Sequence, residues 1–333
     1  MRWTLRKSLM LLLGMLLGAM CLWLASRNVD SKEVRRILQS SDWRWILVGI
    51  AIFGADLLLR VVRWSIIVSH RKSGVDYWRL ARGLFVGYAV NILLPARLGE
   101  LFRADYTARL TDISRSAILA SIFLERVIDL FAVLLIFGLG LIWAGINSST
   151  IDRVIWSGSA ILCSGMLLIY FAIVRTERSK RLVMSLVSKL VPVSLAPRVI
   201  GMISDFTGLF DIVRTRRLTH IIGLSVPIWV LESLSVLSVC RAVGLDLNGP
   251  TLMVLLGGAS LSTLFPTGPG FVGTYQLGYV MVLRNFFVPD ALSLVAATAV
   301  QIFVMGFYAV LGVLIWIIAP SPSRFPSSAR ASL

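Results

Sequence analysis

Residues 291–318 read ALSLVAATAVQIFVMGFYAVLGVLIWII, an apolar run without one charged side chain. A helix needs about 20 apolar residues to cross the hydrocarbon layer of a bilayer, and this run exceeds that length. Residues 9–24 and 130–146 approach it. The whole chain shares the signature: 57% of its 333 residues are hydrophobic and the mean hydropathy is +0.84, above the roughly 45–50% apolar share of an ordinary globular domain. The chain is therefore read as an all-α, polytopic integral membrane protein.

Working outward, six segments are long enough for full crossings, at about 8–25, 43–69, 115–145, 154–174, 218–240 and 291–318. The first has the basic start and apolar middle of a signal peptide. Trp23 is unsuited to the minus-three position of a cut after Ala25, and Met20 fits a lipoprotein site before Cys21 poorly. It is expected to stay as a retained span. Two further apolar segments are broken, 82–110 at Pro95 to Gly99 and 250–284 at Pro266 to Gly270. Backbone exposed by such breaks survives at membrane depth only inside protein or beside a water-filled cavity, so both segments are expected to be re-entrant or broken helical hairpins.

The breaks match one another. Asn91-Ile-Leu-Leu-Pro95-Ala-Arg97-Leu-Gly99 aligns with Ser262-Thr-Leu-Phe-Pro266-Thr-Gly268-Pro269-Gly270: a polar residue, Pro four later, Gly four after that. Paired interruptions in two halves are the sequence mark of an inverted-repeat transporter with its site between the halves. The expected organisation is one transmembrane domain over 1–318, with repeats at about 43–145 and 218–318, a basic linker at 175–217 and a disordered tail at 319–333.

Charge orients the chain. Lys and Arg number 33 against 17 Asp and Glu, a formal +16, and the excess collects between spans, where it reads as orientation and affinity for anionic lipid rather than nucleic acid. The stretch 175–217 holds nine basic residues against three acids, and 70–82 holds four against Asp76 alone. Both are assigned to the cytoplasm, as are both termini, in a multi-pass protein of a bacterial inner membrane. The basic stretch 26–44 is then external, and 31–40 reads as a short helix lying at the interface. Cys21, Cys163 and Cys240 show no metal or redox spacing and read as packing residues.

Charges inside spans cost about 2.5–3.5 kcal/mol each at mid-membrane, so they must meet partners. Glu125 and Asp129 share a helix face, with Arg126 placed to pair with Asp129 at i,i+3; Asp56, Arg60 and Arg63 have similar spacing; Glu232 follows Pro227. The first break adds Arg97, Glu100 and Arg103. These charges are expected to surround a polar cavity, in which Arg97, Arg103 and either Arg60 or Arg63 fork onto a phosphate. Glu100, Glu125 and Asp129 would balance the empty site or carry protons. The competing reading is internal salt bridges that fix helix packing, with Arg60 and Arg63 snorkelling to headgroups.

An intramembrane enzyme that modifies lipids is a further alternative, but it has little to stand on. His70 and His220 lie at span edges, there is no His-Glu-x-x-His helix or phosphate-cradling Gly-x-x-x-x-Gly-Lys loop, and no His follows residue 220 to act as base for Ser260. No metal or cofactor is expected.

Gly87-Tyr-Ala-Val-Asn91-Ile-Leu-Leu-Pro95-Ala-Arg97-Leu-Gly99-Glu100-Leu-Phe-Arg103, followed by Glu125-Arg126-Val-Ile-Asp129, resembles the N-terminal flippase domain of the lysylphosphatidylglycerol synthase (multiple peptide resistance factor) family. Pro269-Gly270-Phe-Val-Gly273-Thr-Tyr-Gln276 is similar to that family's late Pro-Gly motif. The resemblance runs from about residue 40 to 318. It implies movement of a lipid between leaflets by a stand-alone member, with Asn91 joining Arg97, Glu100 and Arg103 at the headgroup. Phe271 and Gln276 stand where many members have Gly and Glu, and the chain is read as lacking the family's synthase domain. The lipid is therefore left open between an anionic phospholipid and a polyprenyl phosphate. A membrane subunit that assists a lipid synthase or glycosyltransferase without transport is the alternative, and the partners open to the chain are its own copies or such an enzyme.

Overall fold

The computed structural model describes residues 5–94, 98–145, 195–264 and 268–319. The expected span at 154–174, Cys163, most of the basic linker, the tail from 320, and Pro95, Arg97 and Pro266 lie outside these residues. Among the described residues all regular structure is helical: α1 (Leu5–Ser26), α2 (Ser31–Gln39), α3 (Arg44–Val68), α4 (Tyr77–Leu93), α5 (Gly99–Thr111) and α6 (Arg115–Ala144), then α7 (Ala196–Phe210), α8 (Arg217–Ala242), α9 (Gly249–Ser262), α10 (Thr274–Arg284) and α11 (Asp290–Ile318). The helices α3, α6, α8 and α11 are long and apolar enough to cross a bilayer, and α1 runs through the expected first span.

Local chemistry places the helix starts. Asp30, Asp76, Ser114 and Asn248 cap α2, α4, α6 and α9 by accepting backbone N–H groups of the first turn. Gly145 closes α6 in the left-handed conformation at φ 66°.

Each broken segment folds into a pair of packed antiparallel helices. In the first, Gly83 faces Thr107, Gly87 faces Arg103 and Gly99 faces Asn91. A Cβ on Gly99 would stand 2.5 Å from the Asn91 backbone nitrogen, so the arms meet this closely only through glycine. In the second, Gly258 faces Val282 and Gly278 faces Ser262. The bases of the hairpins lie at opposite ends of α6. The first begins and ends beside the start of α6, whereas Gly249 at the base of the second touches the ring of Trp143 at its far end.

The eight helices α3–α6 and α8–α11 make reciprocal contacts. α3 and α8 pack antiparallel: Asp42 N–H donates to Ala242 O at 2.8 Å, Arg241 lies over the Trp45 ring, and Arg63 reaches Ser225 at 3.0 Å. α6 packs against α9, the leading arm of the second hairpin, and α11 packs against α4, the leading arm of the first. Exchanging α3 with α8, α4 with α9, α5 with α10 and α6 with α11 preserves these contacts. Because α3 and α8 run in opposite directions, the exchange turns the molecule over.

Among the described helices, α1, α2 and α7 sit outside this pattern. α1 covers the second break: Gly268 N–H donates to Gly14 O at 3.2 Å, and Gly273, at φ +94°, leaves no space for a Cβ, which would fall 1.9 Å from Gly18 O. α7 falls where the sequence suggests only a linker. Asp205 fastens it to the start of α6, accepting from Ser114 Oγ (2.7 Å) and Ser116 Oγ and pairing with Arg71 (2.8 Å), while Phe206 packs on Phe123.

Candidate functional site

The described arms of the two hairpins border a cavity of about 390 Å³. Asn91 and Glu100 reach it from the first hairpin and Thr263, Gly270, Phe271 and Tyr275 from the second; α3, α6, α8 and α11 supply the walls. Much of the wall is aromatic. Phe53 packs on Phe303, Phe307 and Tyr308 at ring-centroid distances of 5.2–5.6 Å, and Tyr88 lies 4.8 Å from Tyr308. The polar groups stand out against this apolar lining, as expected of a site that fixes the orientation of a small bound group.

Two breaks shape the floor and the roof. Asn91 Oδ1 accepts Gly99 N–H at 3.1 Å, which satisfies one of the free donors at the start of α5 and draws the first hairpin shut. On the other side Gln276 Oε1 accepts Gly273 N–H at 2.8 Å and Gln276 Nε2 donates to Gln301 Oε1. Gln301 Nε2 in turn donates to Gly270 O at 2.7 Å. The second break is thus fixed to α11 by two buried amides. Asn91 and Gln276 therefore both serve backbone groups of the breaks, and Gln301 is a residue the apolar run conceals.

The charges divide into those on the wall and those behind it. Arg60, Glu100, Arg126, Asp129 and Glu232 line the cavity. Arg63, Arg103 and Glu125 do not; they are buried to within 1% of full burial and form a chain behind the wall. Arg103 Nη2 donates to Glu125 Oε2 at 2.9 Å, and its guanidinium stacks on the Trp64 ring at 3.8 Å. Arg63 Nη1 lies 2.7 Å from Asp129 Oδ1 and donates to Ser225 Oγ at 3.0 Å, with Glu125 Oε1 at 3.6 Å. Gly87 makes room for Arg103, whose Cβ would sit 2.6 Å from any Cβ placed there.

Partner choice departs from helical spacing. Arg126, spaced to meet Asp129, instead reaches across to Glu100 at 3.0 Å, and Asp129 is taken by Arg63. Arg60 is no headgroup snorkel: only 6% exposed, it holds Asp56 Oδ2 at 2.8 Å with Nε and Glu232 with Nη2, joining α3 to α8. The structure thus brings Asn91, Arg60, Glu100, Arg126, Asp129 and Glu232 to one cavity and sets Arg63, Arg103 and Glu125 into the supporting wall. Among the described residues no cluster of His, Cys, Asp and Glu has the make-up of a metal site, and Cys21 and Cys240 are buried free thiols.

Residues 11–312 match the family described as the lysylphosphatidylglycerol synthase TM region. Among curated proteins, the chain is 21% identical over 299 residues to "Glycosyltransferase AglD" of Haloferax volcanii, the match covering 81% of this chain and 48% of that protein. It is 24% identical to a UPF0104 membrane protein of Pyrococcus horikoshii, over 47% of each chain. It is also 24% identical to a UPF0104 membrane protein of Methanothermobacter thermautotrophicus, over 81% of this chain and 83% of the other. The chain thus spans about half the length of the first two of these relatives.

Proposed function

Because the chain belongs to the lysylphosphatidylglycerol synthase TM-region family, we propose that it moves a phosphate-bearing lipid between the leaflets of its membrane, without chemically altering it. The observation that carries this reading is the cavity: it lies between hairpins rooted at opposite ends of α6 and presents Arg60 and Arg126 on a largely apolar, aromatic wall. A guanidinium forks onto phosphate oxygens, and the apolar wall tolerates the parts of a lipid next to its phosphate. Arg60 and Arg126 are the headgroup ligands, with Asn91 at the hairpin tip. Glu232 and Glu100 hold these two cations while the site is empty. Arg63, Arg103 and Glu125 keep the wall in place.

The test is movement of fluorescent phosphatidylglycerol, and of a labelled polyprenyl phosphate, across vesicles reconstituted with the purified protein. Faster loss of outer-leaflet or inner-leaflet protection than in protein-free vesicles supports the reading. The name of the Haloferax relative favours one alternative, a membrane part that serves a glycosyltransferase. If neither lipid moves, that alternative takes its place.

The basic stretches at 70–82 and 175–217 support one orientation. The proposal places the base of the first hairpin on the cytoplasmic side and that of the second outside. A cysteine introduced at Asp246, exposed at the end of α8, is expected to react with a membrane-impermeant maleimide in intact cells. One at Ser73, exposed between α3 and α4, is expected to react only after lysis. The reverse pattern would invert the topology.

A further inference from the structure

Among the described residues, four arginines at the cavity and in its wall each have a nearby acid: Arg60 with Asp56, Arg63 with Asp129, Arg103 with Glu125 and Arg126 with Glu100. Glu232 is the fifth carboxylate and has no arginine to itself. It shares Arg60, and its side chain is 28% exposed to the cavity, whereas Asp56 on the other side of the same guanidinium is fully buried. The groups facing Glu232 are Asp56 and Arg60 from α3, Asp129 and Arg126 from α6 and Glu100 from α5. The hydroxyls of Tyr88, Tyr275 and Tyr308 complete the polar surroundings from α4, α10 and α11.

We propose that Glu232 is the proton-exchanging carboxyl of the cavity, which surrenders Arg60 to a lipid phosphodiester when it takes up a proton. This rests on the lipid reading above. In the empty site Glu232 is ionised and paired with Arg60. On binding, one proton from solvent joins a Glu232 carboxylate oxygen, the Arg60–Glu232 ion pair breaks, and Arg60 pairs with a phosphodiester oxygen. Asp56 stays on the guanidinium throughout.

Charge explains why the proton and the anion should arrive together. Among the described residues, five carboxylates against four guanidiniums leave one negative charge in excess at the cavity and in its wall. Adding a phosphodiester alone would double that excess in a site with largely apolar walls, where like charges repel more strongly than in bulk water. Adding it with a proton leaves the total unchanged. The broken pair is also one of the polar links between α3 and α8, beside that of Arg63 with Ser225, so the same event weakens the contact between the two halves as the ligand enters.

The experiment is calorimetric titration of the purified protein with dihexanoyl phosphatidylglycerol at pH 7.5, in buffers of different protonation enthalpy, repeated from pH 5.5 to 8.5. The parent is expected to take up about one proton per lipid, with affinity falling about tenfold per pH unit above the range in which Glu232 titrates. E232Q is expected to bind with no proton uptake and no pH dependence. Glu232→Asp keeps a titrating carboxyl, so it should retain the proton and shift the profile along the pH axis. Binding by the parent without proton uptake, uptake retained by E232Q, or an unmoved profile in Glu232→Asp would overturn the assignment and leave the lipid reading intact. Failure of the parent to bind at any pH would sink the lipid reading itself. So would equal affinity for glycerophosphoglycerol, the same phosphodiester stripped of its chains.

Discussion

Arg103→Ala is expected to cost the protein about 3–5 kcal/mol of stability, enough to lower its thermal unfolding midpoint in detergent steeply. The side chain lies 1% exposed between Trp64 and Glu125. Removing it leaves Glu125, itself fully buried, with Arg63 at 3.6 Å as its remaining ion-pair partner among the described residues. Stacking on Trp64 is lost as well, a contact worth about 2 kcal/mol when desolvated. The double variant Arg103→Met with Glu125→Gln is expected to recover much of the loss, because both charges then leave together and the volume is kept. An Arg103→Ala protein that unfolds at the parental temperature but no longer moves lipid would show Arg103 to be a ligand group after all.

Arg126→Ala is expected to slow transfer of fluorescent phosphatidylglycerol at least tenfold in reconstituted vesicles, with the unfolding midpoint little changed. Arg126 faces the cavity with its side chain 30% exposed, and its partner Glu100 is 24% exposed, so the carboxylate left behind can be solvated. A charge-assisted hydrogen bond to phosphate is worth about 1.5–3 kcal/mol, equivalent to roughly ten- to more than a hundredfold in rate. Arg126→Lys should restore part of it, because an ammonium keeps the charge and loses the fork. Transfer at the parental rate in Arg126→Ala would remove this arginine from the site and leave Arg60 to carry the phosphate.

What could be read from the sequence follows the range of each physical signal. Apolar length sets the spans, and α3, α6, α8 and α11 fall within a few residues of the expected boundaries. The Pro and Gly clusters mark the breaks, since α4 stops at Leu93 and α9 at Ser262 just before them. Insertion cost identifies the charges that must be satisfied inside. It does not say by whom. Arg126 and Asp129 share a helix face, yet each reaches a different helix, because a long guanidinium stem explores well beyond its own turn and the tertiary register decides what it meets. Arg103 shows the same limit: its depth in the wall is set by Gly87 on the opposite arm, whose missing side chain is a clue to close packing but names no partner. Gln301 could have been noticed as the amide within an otherwise apolar run. α7 was hidden because its modest apolar stripe, with Val199, Met202 and Phe206, is interrupted by Asp205 and Arg198, and its anchor on α6 is a tertiary contact.

The size of the chamber between the hairpin tips bears on which part of a lipid is recognised. At about 390 Å³ it is near the lower end of the roughly 300–1,000 Å³ usual for small-molecule sites. Each acyl tail of a bilayer lipid extends across about half of a hydrocarbon layer some 30 Å thick, and two such tails do not fit alongside a headgroup in this space. Under the proposed lipid reading the tails would trail outside, between the helices and the surrounding bilayer, while the head occupies the cavity. On that reading selection would fall on the head, and the length and saturation of the tails would become the concern of the membrane rather than of the protein.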